Sequence, residues 1–245
     1  MAQRSATPRC LLIALAGGLL LGASGCSSDS QGTADLAVQD LTAAPDGAAD
    51  QGVTSPASPM MSFFISSDTG SGNLGGLAGA DARCTRLAEA AGVVGKKWAA
   101  YLSTRGGATP GVNARDRIGK GPWYNSMGVK IADDVAGLHN MAAVNLNKQT
   151  ALTEKGQVVN GRSDTPNQHD ILTGSELDGT VTMNSTCGDW TTDADTATAT
   201  LGHHDRDGGG TNPMSWNSAH ASRGCSAQAL ILTGGAGRIY CFAVQ

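Results

Sequence analysis

The chain has 245 residues, with 17 basic against 21 acidic side chains and a formal net charge of −4. No basic block or stripe is present, which argues against nucleic acid as a partner. Hydrophobic residues make up 40% of the chain but aromatic ones only 4%, so any folded domain has few large side chains from which to build its core.

At the N-terminus, Arg4 and Arg9 precede an apolar run from Leu11 to Leu21 that is interrupted only by small residues. The run falls short of the roughly 20 apolar residues that a membrane-spanning helix needs. A basic start, a compact apolar stretch and small residues before a cut read as an export signal, residues 1–26. The stretch Leu21-Gly22-Ala23-Ser24-Gly25-Cys26 resembles the bacterial lipobox, with Ala23 standing where Leu is commonest. That resemblance implies lipidation of Cys26 and a membrane contact through the N-terminal lipid. Ser27 and Ser28, with no Asp next to the Cys, point to the outer membrane or cell surface. Residues 27–61 contain no aromatic residue, and their only charges are Asp29, Asp35, Asp40, Asp46 and Asp50. Such a segment buries too little apolar surface to offset its ordering entropy, and is expected to be a flexible acidic tether.

The texture changes from Met61 onward, and residues 62–245 read as one domain. Ser62-Phe63-Phe64-Ile65-Ser66 is a short aromatic and branched run, hence a strand. Leu77, Ala80, Cys84, Leu87, Ala88 and Ala91 recur three and four apart, which predicts a helix with Cys84 facing inward and Gly92 as its stop. Trp98-Ala99-Ala100-Tyr101-Leu102 predicts a second strand. Arg238 to Val244 predicts a last one, with Ile239, Cys241 and Ala243 on one face. Between them the chain is rich in Gly, Asn, Asp, Ser and Thr, so most of residues 105–225 are expected to be ordered loop, with short strands such as Ile171-Leu172-Thr173.

Of six cysteines, Cys10 lies in the signal and Cys26 is the lipidation candidate. Cys84, Cys187, Cys225 and Cys241 remain, an even number in an exported chain, so two disulfides are expected with three pairings open. No CxxC spacing supports a thiolate metal site.

Ala80-x-x-x-Cys84 on an early helix, then Trp98-Ala99-Ala100-Tyr101-Leu102, resembles the start of a C-type lectin-like domain. Thr186-Cys187-Gly188-Asp189-Trp190, Trp216-Asn217 before Cys225, and the terminal Tyr240-Cys241-Phe242 resemble its end. The block from Gly72 to Asp81, with Thr173-Gly174 and Asp178-Gly179-Thr180, is similar to bacterial secreted domains of the endostatin-like branch. The resemblance implies an α+β, disulfide-stapled domain with long ordered loops. It also implies nested pairing, Cys84 with Cys241 and Cys187 with Cys225. It carries no active site. Thr165-Pro166-Asn167 and Trp216-Asn217-Ser218 lack the acids that a lectin-type Ca²⁺ site uses.

The densest polar cluster is Gly202-His203-His204-Asp205-Arg206-Asp207-Gly208-Gly209-Gly210, followed by His220. Imidazole and carboxylate together suit Zn²⁺ or a related ion, so His203, His204, Asp205 and His220 form a candidate metal set. Adjacent histidines point differently in an extended segment, which sets His203 and His204 against each other as joint ligands. The competing expectation is a solvated loop in which Arg206 balances Asp205 and Asp207. Ca²⁺ on Asp193, Asp195, Asp205 and Asp207 lacks the Glu that an EF-hand loop requires. Trp216 and Asn217, with Asp205 and Asp207, are the candidate ligand-binding residues. His139 and His169 stand alone, no Gly-x-Ser-x-Gly elbow appears, and no catalytic residue is assigned. The leading expectation is a surface-anchored, non-enzymatic module that binds a glycan, a matrix polymer or a surface protein. The alternatives are a zinc hydrolase built on the His203–Asp207 loop and a structural envelope component.

Overall fold

The computed structural model describes residues 56–244. The signal segment, Cys26 and the tether up to residue 55 lie outside the described residues. The last residues of the 27–61 stretch already belong to the folded unit: the Ser58 amide donates to the Ser126 carbonyl, and Met61 is fully buried.

The first elements follow the sequence pattern. Phe63–Ile65 forms β1, Gly76–Ala90 forms α1 and Lys97–Ala100 forms β2. The α1 stripe buries Ala80, Cys84, Leu87 and Ala88. Beyond the helix, Gly92 has φ 87°, a left-handed conformation that favours glycine and breaks helical continuation. Two small hairpins follow, β3 (Thr104–Gly106) with β4 (Pro110–Val112) and β5 (Trp123–Tyr124) with β6 (Lys130–Ala132). Short helical turns α2 (Ala114–Arg117) and α3 (Val135–His139) flank the second hairpin. The chain then passes through β7 (Asp170–Leu172), the single turn α4 (Cys187–Trp190), β8 (Thr200–His203) and β9 (His220–Ala221). It ends with α5 (Ala227–Thr233), whose first turn is capped by the Ser226 hydroxyl accepting from the Ala229 amide, and β10 (Gly235–Val244).

β10 organises the molecule. It pairs antiparallel with β1 and β2 and parallel with β7, and the sheet continues through β8 to β9. Because side chains alternate along a strand, β10 supplies two cores. Ile239, Cys241 and Ala243 join Phe64, Trp98, Leu172, Leu201 and the buried face of α1. Tyr240 and Phe242 join Phe63, Tyr101, Trp123, Ile171 and Trp216 on the other side. Few aromatic residues suffice because nearly all of them are committed to these interiors.

Two disulfides tie the frame: Cys84–Cys241 links α1 to β10 across 157 residues, and Cys187–Cys225 closes a loop of 38. This is the nested pattern expected above. On chain-entropy arithmetic the two closures contribute about 5 and about 4 kcal/mol as upper values. The domain is thus α+β and disulfide-stapled. Such bonds persist in oxidising compartments, which marks the chain as exported. No helix among the described residues is long and apolar enough to cross a membrane.

Candidate metal centre

Three neighbouring strands bring one donor cluster together. Asp170 opens β7 and sits opposite His203, the last residue of β8; His220 opens β9 and sits opposite Leu201, two residues back along β8. Residues paired across a ladder, or two apart along a strand, share a face. Asp170, His203 and His220 therefore emerge on the side of Leu172 and Leu201. His169, one residue before β7, stacks its ring on His203 with centroids 4.3 Å apart.

The centre of the cluster is one oxygen. Asp170 Oδ1 lies 3.4 Å from His169 Nε2, 3.2 Å from His203 Nε2 and 3.5 Å from His220 Nε2. The Asp170 side chain is 0% exposed, and neither carboxylate oxygen has a hydrogen-bond partner. The donor atoms of His169, Asp170 and His203 all fall within 4.8 Å of one another; His220, outside that set, approaches Asp170 and His203 from the partly exposed side. Donors bound to a tetrahedral ion at about 2.0–2.1 Å lie about 3.3–3.4 Å apart. The three separations from Asp170 match that spacing.

The hydrogen bonds on the far side of each ring fix what the near side offers. His203 Nδ1 faces the Pro213 carbonyl at 2.8 Å, and His220 Nδ1 faces the Ala221 carbonyl at 3.1 Å. A carbonyl only accepts, so both Nδ1 atoms carry the proton and, in the neutral rings, both Nε2 atoms present lone pairs. His203 Nε2 and His220 Nε2 nevertheless stand 2.9 Å apart. Two lone pairs at that distance repel unless a cation, a metal ion or a proton, is shared between them. His169 Nδ1 faces Asp205 Oδ1 at 3.2 Å, which directs its Nε2 toward Asp170 in the same way.

Glycines make room for this arrangement. A Cβ on Gly208 would fall 2.1 Å from His203 Cε1, so the loop backbone lies directly against that imidazole. A Cβ on Gly234 would lie 3.2 Å from Asp170 Oδ2 and 3.3 Å from His169 Nε2.

Electrostatics distinguish the neighbours. Burial opposes charging of His169, but the Asp205 and Asp170 carboxylates outweigh it and raise its pKa. Burial also works against the ionised Asp205, yet the His169 hydrogen bond and the Arg162 amide hold its carboxyl well below the usual range. His204 is different. Burial pushes its pKa down to about 4, and its Nε2 pairs with the Asn160 carbonyl at 3.1 Å.

Several expectations are corrected here. His203 and His220 do meet, but His204 lies in the turn just past β8, is fully buried and turns its Nε2 to the Asn160 carbonyl. Asp205 faces His169 Nδ1, not the donor cluster. Asp207 is exposed and reaches only the Arg162 guanidinium, at 3.5 Å. Trp216 and Asn217 form no outer ligand face, since both are fully buried. Trp216 Nε1 donates to the Leu138 carbonyl, while Asn217 Nδ2 donates to Tyr101 Oη and the Glu176 carbonyl. A Ca²⁺ site on carboxylates gains no support from a cluster with one carboxylate among three imidazoles. His169 and Asp170 join the cluster although neither carries a metal-ligand spacing in the sequence. The available signal was a His-Asp pair at the entrance to the apolar Ile171-Leu172 strand. No protein-family model and no curated protein matches the chain.

Proposed function

We propose that this chain is an exported metal-binding module, in which one divalent transition ion held by His169, Asp170, His203 and His220 braces the loop face of a disulfide-stapled domain. The observation that carries this reading is Asp170: a fully buried carboxylate without a hydrogen-bond donor, faced by three imidazole nitrogens. A buried unpaired charge is costly, and a bound cation is the partner that the surrounding donors are built to hold. With His220 joining His169, Asp170 and His203, four protein donors would occupy the shell, the number a closed structural site has; a hydrolase would keep one position open for water. The zinc-hydrolase alternative is therefore the weaker one.

The framework reading is a C-type lectin-like domain of the endostatin-like branch. It is supported by the nested disulfides, by the meeting of β1 with β10, and by the long connections gathered between them. On such a frame the braced loops present a surface for a glycan, a matrix polymer or a surface protein, without chemistry of their own. Lipidation of Cys26 would hold the domain at the outer membrane or cell surface. A Cys26→Ser chain should lose its acyl mass and its membrane association; retention of both would remove the anchor.

The metal reading is tested by titrating Zn²⁺ into chelator-stripped mature protein. One saturable equivalent is expected, and it should vanish in the double variant Asp170→Ala, His203→Ala. Absence of binding by the natural protein, or full binding by the double variant, would remove it.

A further inference from the structure

We infer that Asp205 belongs to the metal centre as a positioning residue for His169, and that with it the buried charge of the site matches a divalent ion of the zinc class. The inference rests on the metal-binding reading above. The Asp205 side chain is only 6% exposed, yet no Lys or Arg side chain among the described residues bonds to it. Its Oδ1 accepts from His169 Nδ1 at 3.2 Å and from the Asp207 amide at 3.3 Å, and its Oδ2 accepts from the Arg162 amide at 2.7 Å. The nearby Arg162 guanidinium turns instead to Asp207.

Two buried carboxylates, Asp170 and Asp205, thus flank three imidazoles with no cationic side chain other than the imidazoles themselves beside either. With those rings neutral, as ligands must be, the donor set and its immediate support carry two negative charges, which one divalent cation balances. Three nitrogen donors and one oxygen suit a borderline ion such as Zn²⁺ better than Ca²⁺ or Mg²⁺. The two amides clamp Asp205, so the oxygen facing His169 keeps its place. That oxygen fixes the Nδ1–H tautomer and raises the basicity of the ring as a ligand. The other two histidines lean on neutral carbonyls, of Pro213 and Ala221, so Asp205 is the one charged brace.

The test compares Zn²⁺ and Co²⁺ binding by stripped natural protein, Asp205→Asn and Asp205→Ala. Asparagine keeps an acceptor for His169 but removes the charge; alanine removes both. The dissociation constant should rise by about 10-fold for asparagine and towards 100-fold for alanine, the usual span for loss of such a partner. The visible bands of the Co²⁺ form should shift in both, whereas a residue that only holds the loop would leave the bands and the affinity unchanged. If the alanine chain does not fold, the asparagine chain decides alone. Natural affinity and bands in Asp205→Asn overturn the inference and leave the metal reading standing. Failure of the natural protein to bind either ion overturns both.

Discussion

Asp170 concentrates the energetic question of this fold in a single side chain, since its oxygens are buried without a donor. On the proposed reading, that carboxylate destabilises the native state in chelated protein, and a bound metal would convert it into an anchor. Asp170→Asn is therefore expected to melt no lower than the natural protein in chelator. At free Zn²⁺ about 1,000-fold above the dissociation constant, the natural protein should gain about 4 kcal/mol and the variant nothing. Equal Zn²⁺ stabilisation of both, read by thermal unfolding, would contradict the role given to this residue. His139 makes a second prediction. Its Nδ1 donates to the Val135 carbonyl and its Nε2 accepts from Tyr101 Oη at 2.7 Å. Burial lowers its pKa below the ordinary value, with Arg115 adding to the effect and the Val135 carbonyl and Asp178 opposing it. A histidine kept neutral in the fold contributes stability that is complete above its unfolded pKa, about 6.5, and fades as pH falls through that value. The stability difference between natural protein and His139→Gln should thus shrink from pH 7.5 to pH 5; a constant difference would refute the assignment. At this scale the sequence was partly legible. His203 and His220 stood out by their company, while Asp170, next to the Ile171-Leu172-Thr173 strand candidate, carried no signal of its own because its meaning depends on residues 33 and 50 positions away.

Among the elements, the 204–219 loop joining β8 to β9 carries the most consequence, because both of its ends deliver a histidine to the site. Gly208 lies flat against the His203 ring, so Gly208→Ala must push the loop or the imidazole aside. The substitution is expected to weaken Zn²⁺ binding at least 10-fold while leaving the β1–β10–β2 pairing intact. Titration together with the far-ultraviolet spectrum checks this, and unchanged affinity would show that the loop adjusts freely. The helix α1 and the strand β10 were readable from periodic apolar patterns, Ala80, Cys84, Leu87 and Ala88 in the helix and the alternation from Ile239 to Ala243 in the strand, and β1 and β2 from short aromatic and apolar runs. The hairpins β3–β4 and β5–β6 and the helix α5 were not. They span only two to seven residues, too few for a period to emerge, and their positions are set by tertiary packing. Trp216 was misread for the same reason. Beside Asn217 and a glycine-rich loop it resembled a stacking platform, yet Tyr101 and Tyr240 enclose it.

For the molecule as a whole, a core poor in aromatic residues is tied by two covalent cross-links between distant segments, and the proposed metal would add an ionic one among β7, β8 and β9. Removing Cys84–Cys241 by paired Ser substitution should cost more than removing Cys187–Cys225. The first closes 157 residues and the second 38, a difference of about 1 kcal/mol on chain entropy alone. Denaturant unfolding of the two paired variants measures it, and the reverse order would show that native-state geometry outweighs loop length. The metal centre itself is tested most directly by anomalous diffraction at the zinc absorption edge, from crystals of the Zn²⁺-loaded protein. A single peak is expected about 2.0–2.1 Å from Nε2 of His169, His203 and His220 and from an Asp170 oxygen. A peak elsewhere, or none at this cluster in protein that contains zinc, would contradict the assignment.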